Sequence, residues 1–144
     1  MRNPYVTPRA MFAGVFTVAA GGFLGSLLRG WLTTTRYPAH GFSTMGYSVA
    51  RIVPWALLTV NAVGVYFAVL LLGRIFKKQS FLDPLRLFCI TGFLGGLTSY
   101  SGLFVALYAI WQVSVLTSIF VGLGAILSGA IAGRIAMMQL GLRK

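Results

Sequence analysis

The feature that most constrains this chain is a long stretch without any charged residue, from Leu87 to Gly133. A helix needs roughly 20 apolar residues to cross the hydrocarbon core of a bilayer, so this stretch is too long for one crossing. It predicts two crossings, divided around Trp111 and Gln112. Two more apolar runs precede it, and we expect the four spans at residues 10–32, 52–73, 87–110 and 113–135. The sequence therefore predicts an all-α membrane protein, a single transmembrane domain over residues 1–144.

The composition excludes most other classes of protein. Hydrophobic residues make up 58% of the chain and charged residues only 9%, whereas a soluble domain carries about 25% charged residues. The net charge of +11 does not indicate a nucleic-acid partner, because the basic residues lie at the ends of apolar runs. His40, Cys89 and Asp83 are the only residues of their chemical types, so no carboxylate pair, metal-ligand cluster or catalytic triad can be assembled. We therefore expect no enzyme.

The distribution of basic residues predicts the orientation of the chain. Four spans place both termini and the second loop on one side, which holds nine basic residues: Arg2, Arg9, Arg74, Lys77, Lys78, Arg86, Arg134, Arg143 and Lys144. The other side holds three, Arg29, Arg36 and Arg51, of which the last two lie in the long loop at 33–51. An excess of Lys and Arg marks the cytoplasmic side, so we expect a cell-membrane protein with both termini in the cytoplasm.

The third span is unusually rich in glycine and hydroxyl side chains, with the sequence TGFLGGLTSYSGLF over residues 91–104. Small residues in membrane helices often serve close helix packing, and that interpretation stays open. Gly95 and Gly96 are followed at once by Thr98, Ser99 and further hydroxyl residues, and this density favours a break in the helix. A break at this depth presents carbonyls that suit a cation and N–H groups that suit an anion. The pattern indicates an ion site.

Two further spans carry polar groups whose role stays open between packing and a polar pathway. Asn61 lies in the middle of the second span, where a side-chain amide is costly unless it is hydrogen-bonded. In the fourth span, small and hydroxyl residues share one face by their three- and four-residue spacing; they are Ser114, Thr117, Ser118 and Gly122. Each group could serve an interhelical contact or line a pore.

Three segments together resemble the Fluc (CrcB) family of fluoride channels. GGFLGSLLR at 21–29 is similar to the signature GGxxGAxxR, and VNAVG at 60–64 is similar to VNxxG. GFLGGLTSYS at 92–101 resembles GFxGGxTTFS, the family's helix break. The motifs follow in order through the first three of the four spans and make the resemblance specific.

The resemblance implies an antiparallel dimer that exports fluoride passively and so relieves fluoride toxicity, with Na⁺ held where the two broken helices cross. Gly95 and Thr98 would offer backbone carbonyls to Na⁺. The residues implied along the fluoride pathway are Asn61, Ser99, Tyr100, Ser101 and Ser118, with Arg29 near the vestibule. The partners implied are fluoride, a homologous antiparallel subunit and the lipid bilayer.

The chain departs from the family pattern where two aromatic rings line the path. These positions hold Tyr100 and Leu103, and Phe104 lies one place out of register. An antiparallel homodimer also needs a chain that inserts both ways, and the charge bias opposes this. We therefore favour a heterodimer with a homologous chain of opposite orientation.

Two alternatives remain. One is a subunit that does not conduct and only supports its partner. The other, less favoured, is a small multidrug or cation antiporter, which would need a carboxylate within the membrane. Asp83 lies too near a loop for that role.

Overall fold

The computed structural model describes residues 8–34, 53–77 and 83–141, and these form four helical spans. Helix α1 is Pro8–Thr34 and helix α2 is Trp55–Arg74. The third span, Pro84–Trp111, is divided into helix α3 at 84–97 and helix α4 at Tyr100–Trp111. Helix α5 is Val115–Gln139. All four spans are long and apolar enough to cross a membrane, which confirms the prediction of an all-α membrane protein with a break in its third span.

The helix ends follow from local capping chemistry. The carboxylate of Asp83 accepts hydrogen bonds from the N–H groups of Leu85 and Arg86, so α3 begins at Pro84, three residues before the predicted span. Ser114 accepts from the N–H of Thr117 and starts α5. The second helix begins only at Trp55, after a proline, and α5 continues to Gln139, past the predicted 135. A chain crossing can include polar helix ends, because their side chains reach the interface.

The turn between the last two spans lies at the predicted place. Helix α4 ends at Trp111, and the backbone turns through Gln112 before α5 begins. The predicted loop at 33–51, including His40, lies outside the described residues from residue 35 onward.

Helix α3 contains a π-helical segment, Leu87–Leu94, between the one-turn α-helical pieces Pro84–Arg86 and Gly95–Leu97. A π-helix closes its hydrogen bonds over five residues and is therefore wider than an α-helix. The segment leads directly into the glycine pair that precedes the break.

Helices α1 and α3 pack with their backbones in direct contact. A Cβ atom built at Gly25 would meet the carbonyl oxygen of Phe93 and lie 2.9 Å from the Leu97 nitrogen, and one built at Gly96 would meet the Gly22 carbonyl. Glycine at these positions is what permits the approach, as in other membrane helix pairs that pack through small residues. Helix α5 packs against both α2 and α4. The glycine contact therefore fixes α3 on α1, beside the break.

Most large apolar side chains lie on the outer surface of this subunit. Phe12, Phe16 and Phe120 are all exposed, whereas Ile110 is nearly fully buried between helices. This distribution suits a chain whose solvent is lipid, since lipid tails are as apolar as the side chains that they meet.

The glycine contact predicts a large difference between two identical substitutions. We expect Gly25→Ala to destabilise the protein by about 1–3 kcal/mol, because the new methyl group meets the α3 backbone. Gly129→Ala is the matched control, since nothing lies within 4 Å of its added Cβ, and it should be neutral or stabilising by up to about 1 kcal/mol. Thermal unfolding of the purified protein in detergent measures both. Equal unfolding temperatures for the two variants would contradict the packing described.

Candidate functional site

The break consists of two residues with extended backbone, Thr98 (φ −86°, ψ 124°) and Ser99 (φ −133°, ψ 106°). In a continuous helix the Ser99 N–H would donate to the carbonyl of Gly95. Here it donates to Oδ1 of Asn61 at 3.0 Å, across from α2. Backbone groups within a membrane need a protein partner. The Asn61 side chain therefore takes the place of a lost helical hydrogen bond.

The other end of the Asn61 side chain has a buried donor without an acceptor. Because Oδ1 accepts from Ser99, the amide must direct Nδ2 the other way. Among the side chains that the structure describes, this Nδ2 is the buried polar atom that lacks a hydrogen-bond partner. Leaving such a group unpaired costs about 1–3 kcal/mol, so it marks a place where a ligand with acceptor atoms would be stabilised.

Thr98 is held in one orientation by two neighbours. Its N–H and its hydroxyl both donate to the carbonyl of Leu94 at 2.8 Å, which closes the last turn of α3. Its Cγ2 methyl lies against Gly64 of α2, where an added Cβ would clash with it. The hydroxyl proton of Thr98 is thus used within its own helix.

The carbonyls at the end of α3 differ in whether they accept a hydrogen bond. The Gly96 carbonyl accepts a hydrogen bond from the hydroxyl of Ser26 on α1, with 3.4 Å between the oxygens. Among the described residues, neither the Gly95 carbonyl nor the Thr98 carbonyl accepts a backbone hydrogen bond of the kind made outside the helices. These two oxygens are available ligands of the kind that binds Na⁺ at broken membrane helices.

Helix α4 begins with a pair of serine hydroxyls. Ser99 caps the helix by accepting from the N–H of Gly102 at 3.1 Å, and its Oγ lies 2.9 Å from the Oγ of Ser101. Ser99 is buried, whereas Ser101 and Tyr100 are exposed on the surface of the subunit. The break thus gathers Asn61, Ser99 and Ser101 through hydrogen bonds.

Two predicted pathway residues lie apart from this network. Ser118 is buried and donates to the carbonyl of Leu107 at 2.9 Å, which joins α5 to α4. Arg29 is half-buried near the end of α1. Neither side chain is hydrogen-bonded to Thr98, Ser99 or Ser101 in the described part of the chain.

The sequence reasoning missed several features of the site. Ser26 was not singled out, although it lies four residues after Gly22 and so on the glycine face of α1. Leu103 is only 4% exposed and faces other helices, while Phe104 is 68% exposed. Phe104 shares a face of α4 with Tyr100, four residues before it, so the aromatic that accompanies Tyr100 is the one out of register.

Comparison with known proteins places the whole bundle in one family. The family model described as CrcB-like protein, Camphor Resistance (CrcB), matches residues 16–142. A protein of Allorhizobium ampelinum called fluoride-specific ion channel FluC is 30% identical over 128 residues, which cover 83% of this chain and 95% of the relative. The protein of that name from Bordetella bronchiseptica is 30% identical over 126 residues, 87% of this chain and 85% of its own. The matches include both halves of the broken span.

The Gly64–Thr98 contact predicts a rescue between two substitutions. Gly64→Ala should lower stability by about 1–3 kcal/mol, because its methyl group meets Cγ2 of Thr98. Thr98→Ser removes that Cγ2 and keeps the hydroxyl, so the double variant should recover much of the loss. Thermal unfolding of the two single variants and the double variant gives the coupling free energy. Additive losses would show that the methyl group added at position 64 does not contact the Thr98 side chain.

Proposed function

This chain belongs to the CrcB family, and on that premise we propose that it is a subunit of a fluoride-selective channel. Such a channel lets fluoride leave the cell passively and relieves its toxicity. The relatives that share most of the chain's length carry the name fluoride-specific ion channel. A channel subunit is not an enzyme, and its work is to lower the cost of moving an ion through the bilayer.

The buried Nδ2 of Asn61 is the observation that carries this proposal. It is a hydrogen-bond donor without a protein acceptor, placed beside a backbone break in the membrane. Fluoride is a small anion that accepts hydrogen bonds strongly, so an amide N–H suits it. The hydroxyls of Ser99 and Ser101 supply further donors next to Asn61, and conduction needs several such weak sites.

The charges of the chain agree with an anion path. The whole sequence has one acidic residue, Asp83, and its carboxylate is occupied in capping α3. Because proton-coupled cation export needs a carboxylate within the membrane, the antiporter alternative lacks its central group. Arg29 would attract the anion to the vestibule through its positive charge.

The remaining pathway residues differ in what they can offer. Tyr100 is 57% exposed and can present the positive edge of its ring to an anion at the subunit surface, together with Phe104. Ser118 would have to release the carbonyl of Leu107 before it could donate to fluoride. We therefore place Ser118 after Asn61 and Ser101 as a fluoride ligand.

We propose further that Gly95 and Thr98 hold Na⁺ with their carbonyl oxygens. Both oxygens lie at the C-terminal end of α3, and such ends carry a partial negative charge. The bound ion would supply a fixed positive charge near the anion path. Two carbonyls do not fill a coordination sphere, so the site requires the same residues from a second subunit.

A second subunit is also required by the polar surface at the break. Tyr100 and Ser101 are exposed near the middle of the third span, and polar groups at that depth do not face lipid. An antiparallel homologous subunit would bring its own break against this surface. The excess of basic residues on one side supports an orientation with both termini in the cytoplasm, and a single orientation for the chain. We therefore favour a heterodimer with a homologue of opposite orientation.

One observation supports the alternative that this chain does not conduct and only supports its partner subunit. Leu103 occupies a position where the family places a ring, and it is buried within the subunit. Part of the pathway wall could then come from the partner alone, with this chain contributing the break and its cation.

The donor role of Asn61 predicts the effect of an isosteric change. Asn61→Asp keeps the oxygen that accepts from Ser99 but replaces the donor N–H₂ with a negative oxygen. In liposomes that contain the chain assembled with its partner, we expect fluoride efflux, followed with a fluoride electrode, to fall about tenfold or more, since a hydrogen bond to a charged partner is lost. Thr59→Val is the control, because the Thr59 hydroxyl only bonds the Trp55 carbonyl in its own helix. Unchanged flux in Asn61→Asp would favour the supporting subunit.

The fixed orientation predicts that the chain needs its partner. Expressed and reconstituted alone, it should give little fluoride efflux, and cysteine labelling of tagged termini should find one orientation. Co-expression with a homologue of opposite charge bias should restore efflux. Strong efflux from the lone chain, with both orientations labelled, would exclude the heterodimer.

A further inference from the structure

Ser26, like Ser118, donates its hydroxyl to the backbone of another helix. The hydroxyls of Thr17, Thr33, Thr59 and Ser128 all donate to carbonyls three or four residues earlier in their own helices. This is the usual arrangement for a hydroxyl within a membrane. Ser26 instead donates across to Gly96, seventy positions along the chain, at the end of α3.

The glycine contact makes this crossing possible. Gly22 lies against Gly96, and Gly25 lies against the backbone of Phe93 and Leu97, so no side chains separate the two helices. Ser26 is one residue beyond Gly25 and is exposed at the rim of this contact. The signature that this segment resembles has Ala, which carries no hydroxyl, at the same position.

The acceptor is a carbonyl that the break deprives of its helical partner. In a continuous α-helix the Gly96 carbonyl would accept from the N–H of Tyr100. The extended backbone at Thr98 and Ser99 removes that possibility. The Ser26 hydroxyl supplies the missing donor. It thereby fixes the peptide that lies between Gly95 and Thr98, the two proposed Na⁺ ligands.

We propose that Ser26 is a positioning residue for the cation site, an inference that rests on the function proposed above. Its hydrogen bond engages the Gly96 carbonyl and leaves the carbonyls of Gly95 and Thr98 for the ion. Without it, the Gly96 peptide keeps its packing against Gly22 but loses the donor that orients its carbonyl, and the spacing of the two ligand oxygens is less firmly fixed. Ser26 touches neither ion and acts only through the α3 backbone.

The test measures cation binding without requiring conduction. The assembled protein is purified in detergent, and its thermal unfolding is followed as NaCl replaces N-methyl-D-glucamine chloride at constant ionic strength. Ligand binding to the folded state raises the unfolding temperature, which yields a half-saturating Na⁺ concentration. We expect this concentration to rise about twofold in Ser26→Ala, because the hydrogen bond is long at 3.4 Å and its loss lies at the lower end of the usual range. Ser26→Thr, which keeps the hydroxyl, should restore the wild-type value.

Thr17→Ala is the matched control, since it removes a hydroxyl from the same helix that bonds only the Ala13 carbonyl. A purely structural role of Ser26 would lower the unfolding temperature at every Na⁺ concentration and leave the half-saturating value unchanged. That result would overturn this inference while leaving the cation site in place. A wild-type protein that Na⁺ does not stabilise more than N-methyl-D-glucamine would refute the cation site, and the role of Ser26 with it.

Discussion

The hydrogen bond from the Ser99 backbone to the Asn61 side chain is the interaction on which this structure depends. A bilayer offers no water to an open peptide group, so a helix can be broken within it only where protein supplies new partners. Asn61 supplies one from α2, and Thr98 closes the end of α3 on Leu94. The same amide is left with a buried donor. One side chain therefore stabilises the break and, in the proposed channel, also offers a donor to the anion.

The contact between α1 and α3 complements that hydrogen bond from the other side. Where Asn61 holds the start of α4, the glycines of α1 hold the end of α3 at the closest distance that two backbones permit. The π-helical segment, Leu87–Leu94, lies along this contact. The end of α3 is thus held by α1 and the start of α4 by α2, and the break is the junction between these two halves. Such a junction would keep the proposed cation ligands at a fixed spacing without a continuous helix.

The parts of this architecture that could be predicted are those that depend on the local amino-acid composition. The uncharged stretch bounded by Arg86 and Arg134 predicted two spans, and Gly95–Gly96 followed by hydroxyl residues indicated the break within the first of these two. The parts that could not be predicted depend on which way side chains face after packing. Leu103 and Phe104 are neighbours of similar apolarity, and only the packing of α4 within the bundle buries one and exposes the other. The crossing of Ser26 to α3 likewise depends on a contact between segments far apart in the chain.

The two serine hydroxyls at the start of α4, those of Ser99 and Ser101, can exchange the roles of hydrogen-bond donor and acceptor. Either hydroxyl can donate to the other, and the Oγ of Ser99 also accepts from Gly102. Two hydroxyl protons share one bond between the pair, so one proton is always left to point elsewhere. Exchanging the roles requires only rotation about two C–O bonds, which takes place much faster than any helix motion. In the proposed channel, an anion passing from the buried serine to the exposed one would meet the spare hydroxyl proton first at one serine and then at the other, while the backbone stays still.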